Sequence, residues 1–246
     1  MIYFISDVHL GFGSKESSRQ REELLLRFLE QIRPDCECLY IVGDLFDYWF
    51  EYNTVLPRDF FRTLTALDSF RSSGIPVEYV MGNHDFGHQS FFEQELNIPI
   101  YKEDITRQHN GKKFYIAHGD GKVYNDQGYL ILRAILRNKL SIKLYQWLHP
   151  DIGIWLASGT SHKSRTYTDA KDYGKPDGLA DFADKRIQEG FDYVIMGHQH
   201  QPLEKHFGNA THTGTYINLG EWMHHRTFAM FDGTECKLLR LDDFLK

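Results

Sequence analysis

Thiols are scarce in this 246-residue chain: the three cysteines, Cys36, Cys38 and Cys236, form no CxxC pair. An odd count with no secretory leader argues against a disulfide framework. Cys36 and Cys38 lead into an apolar run and read as packing residues. Long hydrophobic runs are missing too. None approaches the roughly 18 apolar residues of a membrane-spanning helix, and no basic segment precedes the first apolar run. A reducing cytoplasm is therefore the expected compartment. Basic charge is in short supply, with 28 Lys and Arg against 34 Asp and Glu and a net charge of −6. That balance argues against a general nucleic-acid binder, so no nucleic-acid partner is expected. The chain also lacks linkers, low-complexity tracts and long repeats, and residues 1–246 are expected to form one domain.

What the chain does have is one pattern used five times: a short apolar run, rich in β-branched and aromatic residues, followed at once by residues able to bind metal. The runs are YFIS before Asp7 and His9, LYIV before Gly43-Asp44, VEYVM before Asn83 and His84, FYIA before His118, and YVIM before His198 and His200. Such runs read as buried strands. Between the first two, Lys15–Gln31 has helical apolar spacing (Leu25, Phe28, Leu29), and Pro57–Arg71 repeats it (Phe60, Phe61, Leu64, Leu67). Strand, helix, strand at this spacing predicts βαβ units, parallel strands and an α/β fold. Ala180–Glu189 is a further expected helix. Tyr216–Leu219, Phe228–Phe231 and Glu235–Leu241 are expected to finish a sheet in antiparallel fashion.

Residues 121–178 break this rhythm. Two helices, Gly128–Leu140 and Ile142–Leu148, and an apolar stretch at Ile152–Ala157 are expected there. Leu130, Leu132, Ile135, Leu136, Leu140, Leu144 and Trp147 offer more apolar surface than docking needs, and Arg133, Arg137, Lys139 and Lys143 sit among them. One reading is a solvated helical layer, the other a lipid-facing cap.

In an α/β sheet the C-terminal strand ends share one edge, where ligands bind. That topology would gather Asp7, His9, Asp44, Asn83, His84, His118, His198 and His200 into one crevice. Three oxygen donors and four imidazoles, His84 aside, exceed one tetrahedral zinc site. They suit two adjacent ions, with Asp44 the natural bridge. Ions so placed polarise a phosphoryl oxygen and activate a water at neutral pH.

Asp7-Val-His9, Gly43-Asp44, Gly82-Asn83-His84-Asp85, His118-Gly119-Asp120 and Gly197-His198-Gln199-His200 together resemble the five signatures of the calcineurin-like metallophosphoesterases. The resemblance implies a β-sandwich flanked by helices, here with residues 121–178 as a helical cap insertion. It implies one metal on Asp7, His9, Asp44 and His200 and a second on Asp44, Asn83, His118 and His198. It also implies catalytic work by Asn83 and His84.

Within that superfamily the chain is similar to the UDP-2,3-diacylglucosamine hydrolases of lipid A biosynthesis. The likeness rests on Gly43-Asp44-Leu45-Phe46 running on to Trp49, on Asp126 and Tyr129 after His118-Gly119-Asp120, on the helical insertion, and on Leu219-Gly220-Glu221-Trp222. It implies hydrolysis of the pyrophosphate bond of UDP-2,3-diacylglucosamine to UMP and 2,3-diacylglucosamine 1-phosphate, with two divalent ions, Mn²⁺ before Fe or Zn. It places Trp49, Asp126 and Tyr129 at the substrate. Lys163 and Arg165 are candidates for phosphate or uridine contacts, or are solvated bases. The insertion would hold the acyl chains, and peripheral attachment to the inner face of the inner membrane is expected. One departure stands out: those enzymes usually carry arginine where this chain has His84, the wider superfamily's residue, which can donate a proton where arginine offers fixed charge. Another calcineurin-like phosphodiesterase or phosphatase, acting on a nucleotide or small phosphoester, is the alternative.

Overall fold

Each expected strand run is present in the computed structural model, which describes residues 1–122, 127–154, 156 and 178–246. Strands β1 (Ile2–Ile5), β2 (Cys38–Val42) and β3 (Val77–Val80) run parallel, in the register Ile2↔Cys38 and Leu39↔Val77. The short β4 (Ile100–Tyr101) extends one edge. The second sheet holds β5 (Ile105–His109), β6 (Lys112–Ile116), β7 (Tyr193–Met196), β8 (Leu203–Gly208) and β9 (Thr213–Asn218) in the order β5-β6-β7-β9-β8. Strands β10 (Thr227–Phe231) and β11 (Cys236–Arg240) complete the first sheet, antiparallel beside β1. The antiparallel finish expected of the last strands holds for β10 and β11, while β9 lies in the other sheet, antiparallel to β8 and parallel to β7.

The pleat sends alternate side chains to opposite faces, and both faces are covered. Ile2 and Phe4 of β1, with Tyr40 and Val42 of β2, meet Phe114, Ile116, Ile195 and Ile217 of the other sheet. Tyr3 and Ile5 with Leu39 and Ile41 meet Leu25, Phe28, Leu29 and Ile32 of helix α1 (Lys15–Ile32) and Leu64, Leu67 and Phe70 of α2 (Phe61–Ser72). On the far side, Val194, Met196 and Tyr216 pack on Leu179, Ala183 and Ile187 of a helix at Gly178–Gln188. The layers are thus helix, sheet, sheet, helix, which explains why β1 and β2 are apolar throughout rather than alternating.

Ser14 caps α1, its side chain accepting from the Ser17 N–H. In the 121–178 stretch the two expected helices, Gly128–Leu140 and Ile142–Leu148, are present as Gln127–Leu136 and Lys139–Tyr145, with the break between them earlier than expected. Asn138 sets the break: its side chain accepts from the Leu140 N–H at 2.8 Å and starts the second helix. These helices dock over the strand-end edge. The Tyr48 hydroxyl donates to that of Tyr145 at 3.1 Å, the Phe50 and Tyr145 rings lie 4.5 Å apart, and Gln146 Nε2 donates to the Glu51 carbonyl at 3.2 Å. Among the described residues no helix is long and apolar enough to cross a membrane.

Candidate metal centre

The strand ends deliver their side chains to one crevice through turns that the backbone adopts at a cost. Asp7, His9, Asp44, His198 and His200 all have positive φ, between 49° and 70°. Such left-handed non-glycine residues cluster at functional sites, where surrounding structure over-determines them. Here the turns brace one another. Asp7 N–H donates to the Gly43 carbonyl, His9 N–H to that of Asp44, Gly197 N–H to that of His118, and Trp222 N–H to that of Asp7. His198 N–H donates to Asp7 Oδ2 at 3.0 Å and His84 N–H to Asp44 Oδ1 at 2.8 Å.

All eight residues singled out from the sequence meet here. His9 Nε2 and His200 Nε2 lie 3.2 Å apart, with Asp7 Oδ1 3.4 Å from the first and 3.3 Å from the second. On the other side, His118 Nε2 and His198 Nδ1 each lie 2.9 Å from Asn83 Oδ1. Asp44 Oδ2 sits between the two groups, 3.9 Å from His9 Nε2 and 3.3 Å from His118 Nε2. Asp7, His9 and His200, and likewise Asp7, Asp44 and His118, can bring ligand atoms within 4.8 Å of one another. His84 can do so with His9 and Asp44.

Two observations fit these residues to divalent ions. Asp7 Oδ1 and Asp44 Oδ2 are buried and have no hydrogen-bond partner, with only imidazole nitrogens 3.3–3.9 Å away. Buried carboxylate oxygens left this way are costly unless a cation meets them. The donors, imidazole nitrogen with carboxylate and amide oxygen and no thiolate, suit Mn, Fe or Zn. His118 Nδ1 lies 2.9 Å from the Val42 carbonyl, which can only accept, so Nδ1 carries the proton and Nε2 turns its lone pair to the crevice in the neutral ring.

Electrostatics agree. Burial raises the Asp7 carboxyl, but His200 and His9 outweigh it and hold it well below the usual carboxylate range. Asp44 is likewise raised by burial and pulled far lower by His118, His84 and His9. Burial pushes the His118 imidazole down, yet Asp44 carries it up to about 10. A divalent ion would take the place of that proton. His198 is pushed down to about 4 by burial and by His118, which leaves it neutral.

Three supporting carboxylates, Asp47, Asp85 and Asp120, were not singled out from the sequence. Asp47 Oδ1 lies 3.5 Å from His9 Nδ1, and the Asp47 carbonyl lies 3.2 Å from His84 Nδ1. Asp85 is fully buried and accepts from the Leu45 and Gly82 N–H groups at 3.0 and 2.8 Å and from the Tyr79 hydroxyl. Asp120 accepts from Arg133 of the Gln127–Leu136 helix at 2.9 Å, and Arg137 donates to the Gly82 carbonyl at 3.0 Å. The only signal for the three carboxylates was their place two or three positions after Asp44, Asn83 and His118.

Trp49 corrects an expectation. It is fully buried, stacked on Phe46 at 4.7 Å, with its indole N–H donating to Glu51 at 3.1 Å. It belongs to the core behind the crevice and presents no surface to a ligand. Tyr129 has its backbone in the Gln127–Leu136 helix, but its side chain lies outside the described residues, as do Asp126, Lys163 and Arg165.

Comparison with known proteins bears on the same residues. The sequence model of the calcineurin-like phosphoesterase family matches residues 1–202. Over 98% of both chains the protein is 31% identical to a UDP-2,3-diacylglucosamine hydrolase of Porphyromonas gingivalis. It is 29% identical to a protein of that name from Nitrosococcus oceani, covering 89% of this chain and 86% of that one. With its namesake in Yersinia pseudotuberculosis the identity is 27%, over 89% and 90%.

Proposed function

The chain belongs to the calcineurin-like phosphoesterase family, and from that premise we propose that it hydrolyses the pyrophosphate bond of UDP-2,3-diacylglucosamine, giving UMP and 2,3-diacylglucosamine 1-phosphate. The observation that carries the substrate is the end-to-end match to a relative of that name. A second feature supports it. The insertion docked over the crevice exposes Ile131, Ile135, Leu140, Leu144, Ile152 and, at 82%, Trp147. A soluble nucleotide has no use for such a surface, whereas acyl chains do.

Asp7, His9, Asp44 and His200 would hold one ion, and Asp44, Asn83, His118 and His198 the other; Mn²⁺ is the proposed metal. Ions there would polarise the phosphoryl oxygens and lower the pKa of an attacking water. The protein's own groups do the rest. The crossed hydrogen bonds among the turns fix the ligands before substrate arrives. His84 stands at the rim with Nδ1 on the Asp47 carbonyl, so its Nε2 donates a proton only as the imidazolium. In that form it would stabilise charge on the phosphoryl oxygens or protonate the leaving phosphate. Arg133 and Arg137 tie the insertion to Asp120 and Gly82, which keeps a bound lipid in register with the crevice. We further propose peripheral attachment to the cytoplasmic face of the inner membrane through the insertion's apolar surface and its basic residues.

His84, standing where the lipid-specific relatives are expected to carry arginine, favours a second reading, a phosphodiesterase for nucleotides or small phosphoesters. One assay separates them. Purified, Mn²⁺-loaded protein is expected to release UMP from UDP-2,3-diacylglucosamine. No UMP, together with good turnover of generic phosphodiesters, would overturn the lipid assignment in favour of the second.

A further inference from the structure

Away from the strand-end crevice, a cavity of about 400 Å³ opens between the start of α1 and the turn at Arg58–Phe60 that leads into α2. Its lining shares no residue with the metal-ligand sets. Lys15, Arg19, Arg58 and Arg62 line it, all four exposed. Among the described residues none of the four has a carboxylate partner or a side-chain hydrogen bond. Two carboxylates share the lining. Asp59 is exposed, and Glu22 is buried, accepting from the Thr63 hydroxyl at 3.0 Å. In a chain of net charge −6, four unpaired cations around one concavity are a local reversal of sign that the fold itself does not use.

The backbone adds to it. The 18-residue α1 and the 12-residue α2 both begin at this cavity, and the residues preceding the Arg58–Phe60 turn and α2, Pro57 and Phe60, supply no side-chain cap. Each helix contributes the positive end of its dipole. Three planar guanidinium forks and an ammonium match the oxygens of a phosphate group, which accepts paired hydrogen bonds. Phe61, 69% exposed, sits in the same lining and offers a ring to whatever the phosphate is attached to.

We propose that this cavity binds a phosphate group at a site separate from the metal centre. A phospholipid headgroup and a soluble phosphate present the same chemistry, and the test distinguishes them. Metal-loaded protein is followed by amide hydrogen exchange with inorganic phosphate, and separately with vesicles of phosphatidylglycerol in phosphatidylcholine. Exchange in the 11–19 and 58–62 segments is expected to slow about tenfold at roughly ten times the Kd. The double variant Arg19→Ala/Arg58→Ala is expected to lose that protection while turning over a small chromogenic phosphodiester as before, which shows it folded. Asp44→Ala, which disrupts the metal centre, is expected to keep it, so that phosphate held by the ions is not the source. Protection by phosphate alone assigns a soluble ligand; protection by vesicles alone assigns a lipid headgroup. No protection by either probe, or protection that survives the double variant, overturns the proposal.

Discussion

Gly82 presses against the residue placed between the two ion positions, so Gly82→Ala isolates what that contact does. A Cβ there would lie 2.0 Å from Asp44 Oδ1, 2.6 Å from Asp44 N and 2.8 Å from Asp44 Cγ. Ordinary contacts begin near 3.5 Å, so the Asp44 carboxylate must retreat by more than about 1 Å. It cannot do so alone, because Oδ1 is held by the His84 N–H and Oδ2 faces both His9 and His118. Overpacking of this kind costs about 1–3 kcal/mol of stability, and a chain of this length loses about 2–4 °C in Tm per kcal/mol. The larger effect is on chemistry, since a misplacement of about 1 Å lowers turnover on the order of 100-fold. Gly74→Ala is the control. Gly74 has φ +84°, and a methyl at its Cβ position would meet nothing within 4 Å, so its alanine variant carries backbone strain alone. Both variants are expected to melt a few degrees early, and only Gly82→Ala to lose metal by elemental analysis and turnover on a small phosphodiester. Two equivalents of tightly held metal with wild-type turnover in Gly82→Ala would refute the steric reasoning.

Three further outcomes are expected. Asp47→Asn should weaken metal affinity by about 10–100-fold, because Asp47 faces the nitrogen of His9 turned away from the crevice; unchanged affinity in a chelator competition would remove it from that role. Leu140→Asp on the exposed face of the insertion should lower turnover of the acylated substrate by about tenfold or more, from the loss of about 1.5–3 kcal/mol of apolar burial, and leave a small phosphodiester unaffected; equal loss on both would make the face merely structural. The Glu51 carboxyl is raised by burial, but His88 and the Phe91 and Ser90 N–H groups outweigh that and bring it from 4.5 to about 2. A depressed carboxylate stabilises fully above its unfolded pKa and ceases to do so as pH falls through the folded one. The wild type should therefore lose about 3 kcal/mol relative to Glu51→Gln between pH 4.5 and 2, measured by denaturant titration; parallel curves across that window would contradict it.

The strand ends could be read from the sequence because buried parallel strands carry continuous apolar runs, and the residue after each run has nowhere to go but the common edge. The edge strands could not. ITRQH of β5 and LEKHFG of β8 pair on one side only and face solvent, so they leave no apolar run to notice. Asn138 reads as one polar residue inside a helical pattern, and only its bond to the Leu140 N–H shows that it starts a new helix. Trp49 exposes the opposite limit: proximity in sequence to Asp44 says nothing about which side of the loop an indole takes, and here the Phe46 and Phe92 rings draw it inward. Asp47 and Asp85 were equally out of reach, because their partners, His9, Leu45 and Tyr79, come from other turns and strands.

The left-handed turns of Asp7, His9, Asp44, His198 and His200 bear on how such a centre could change over evolutionary time. Asp and His are among the few non-glycine residues that this conformation admits readily. At these five positions the backbone and the ions therefore select from the same short alphabet. Exchanging one of them for cysteine would recruit a softer metal only by also asking a poorly suited residue to hold the turn, and with it the neighbouring turns bonded to it. Drift in metal preference is thus confined to ions content with imidazole and oxygen, unless the scaffold is rebuilt along with the ligand.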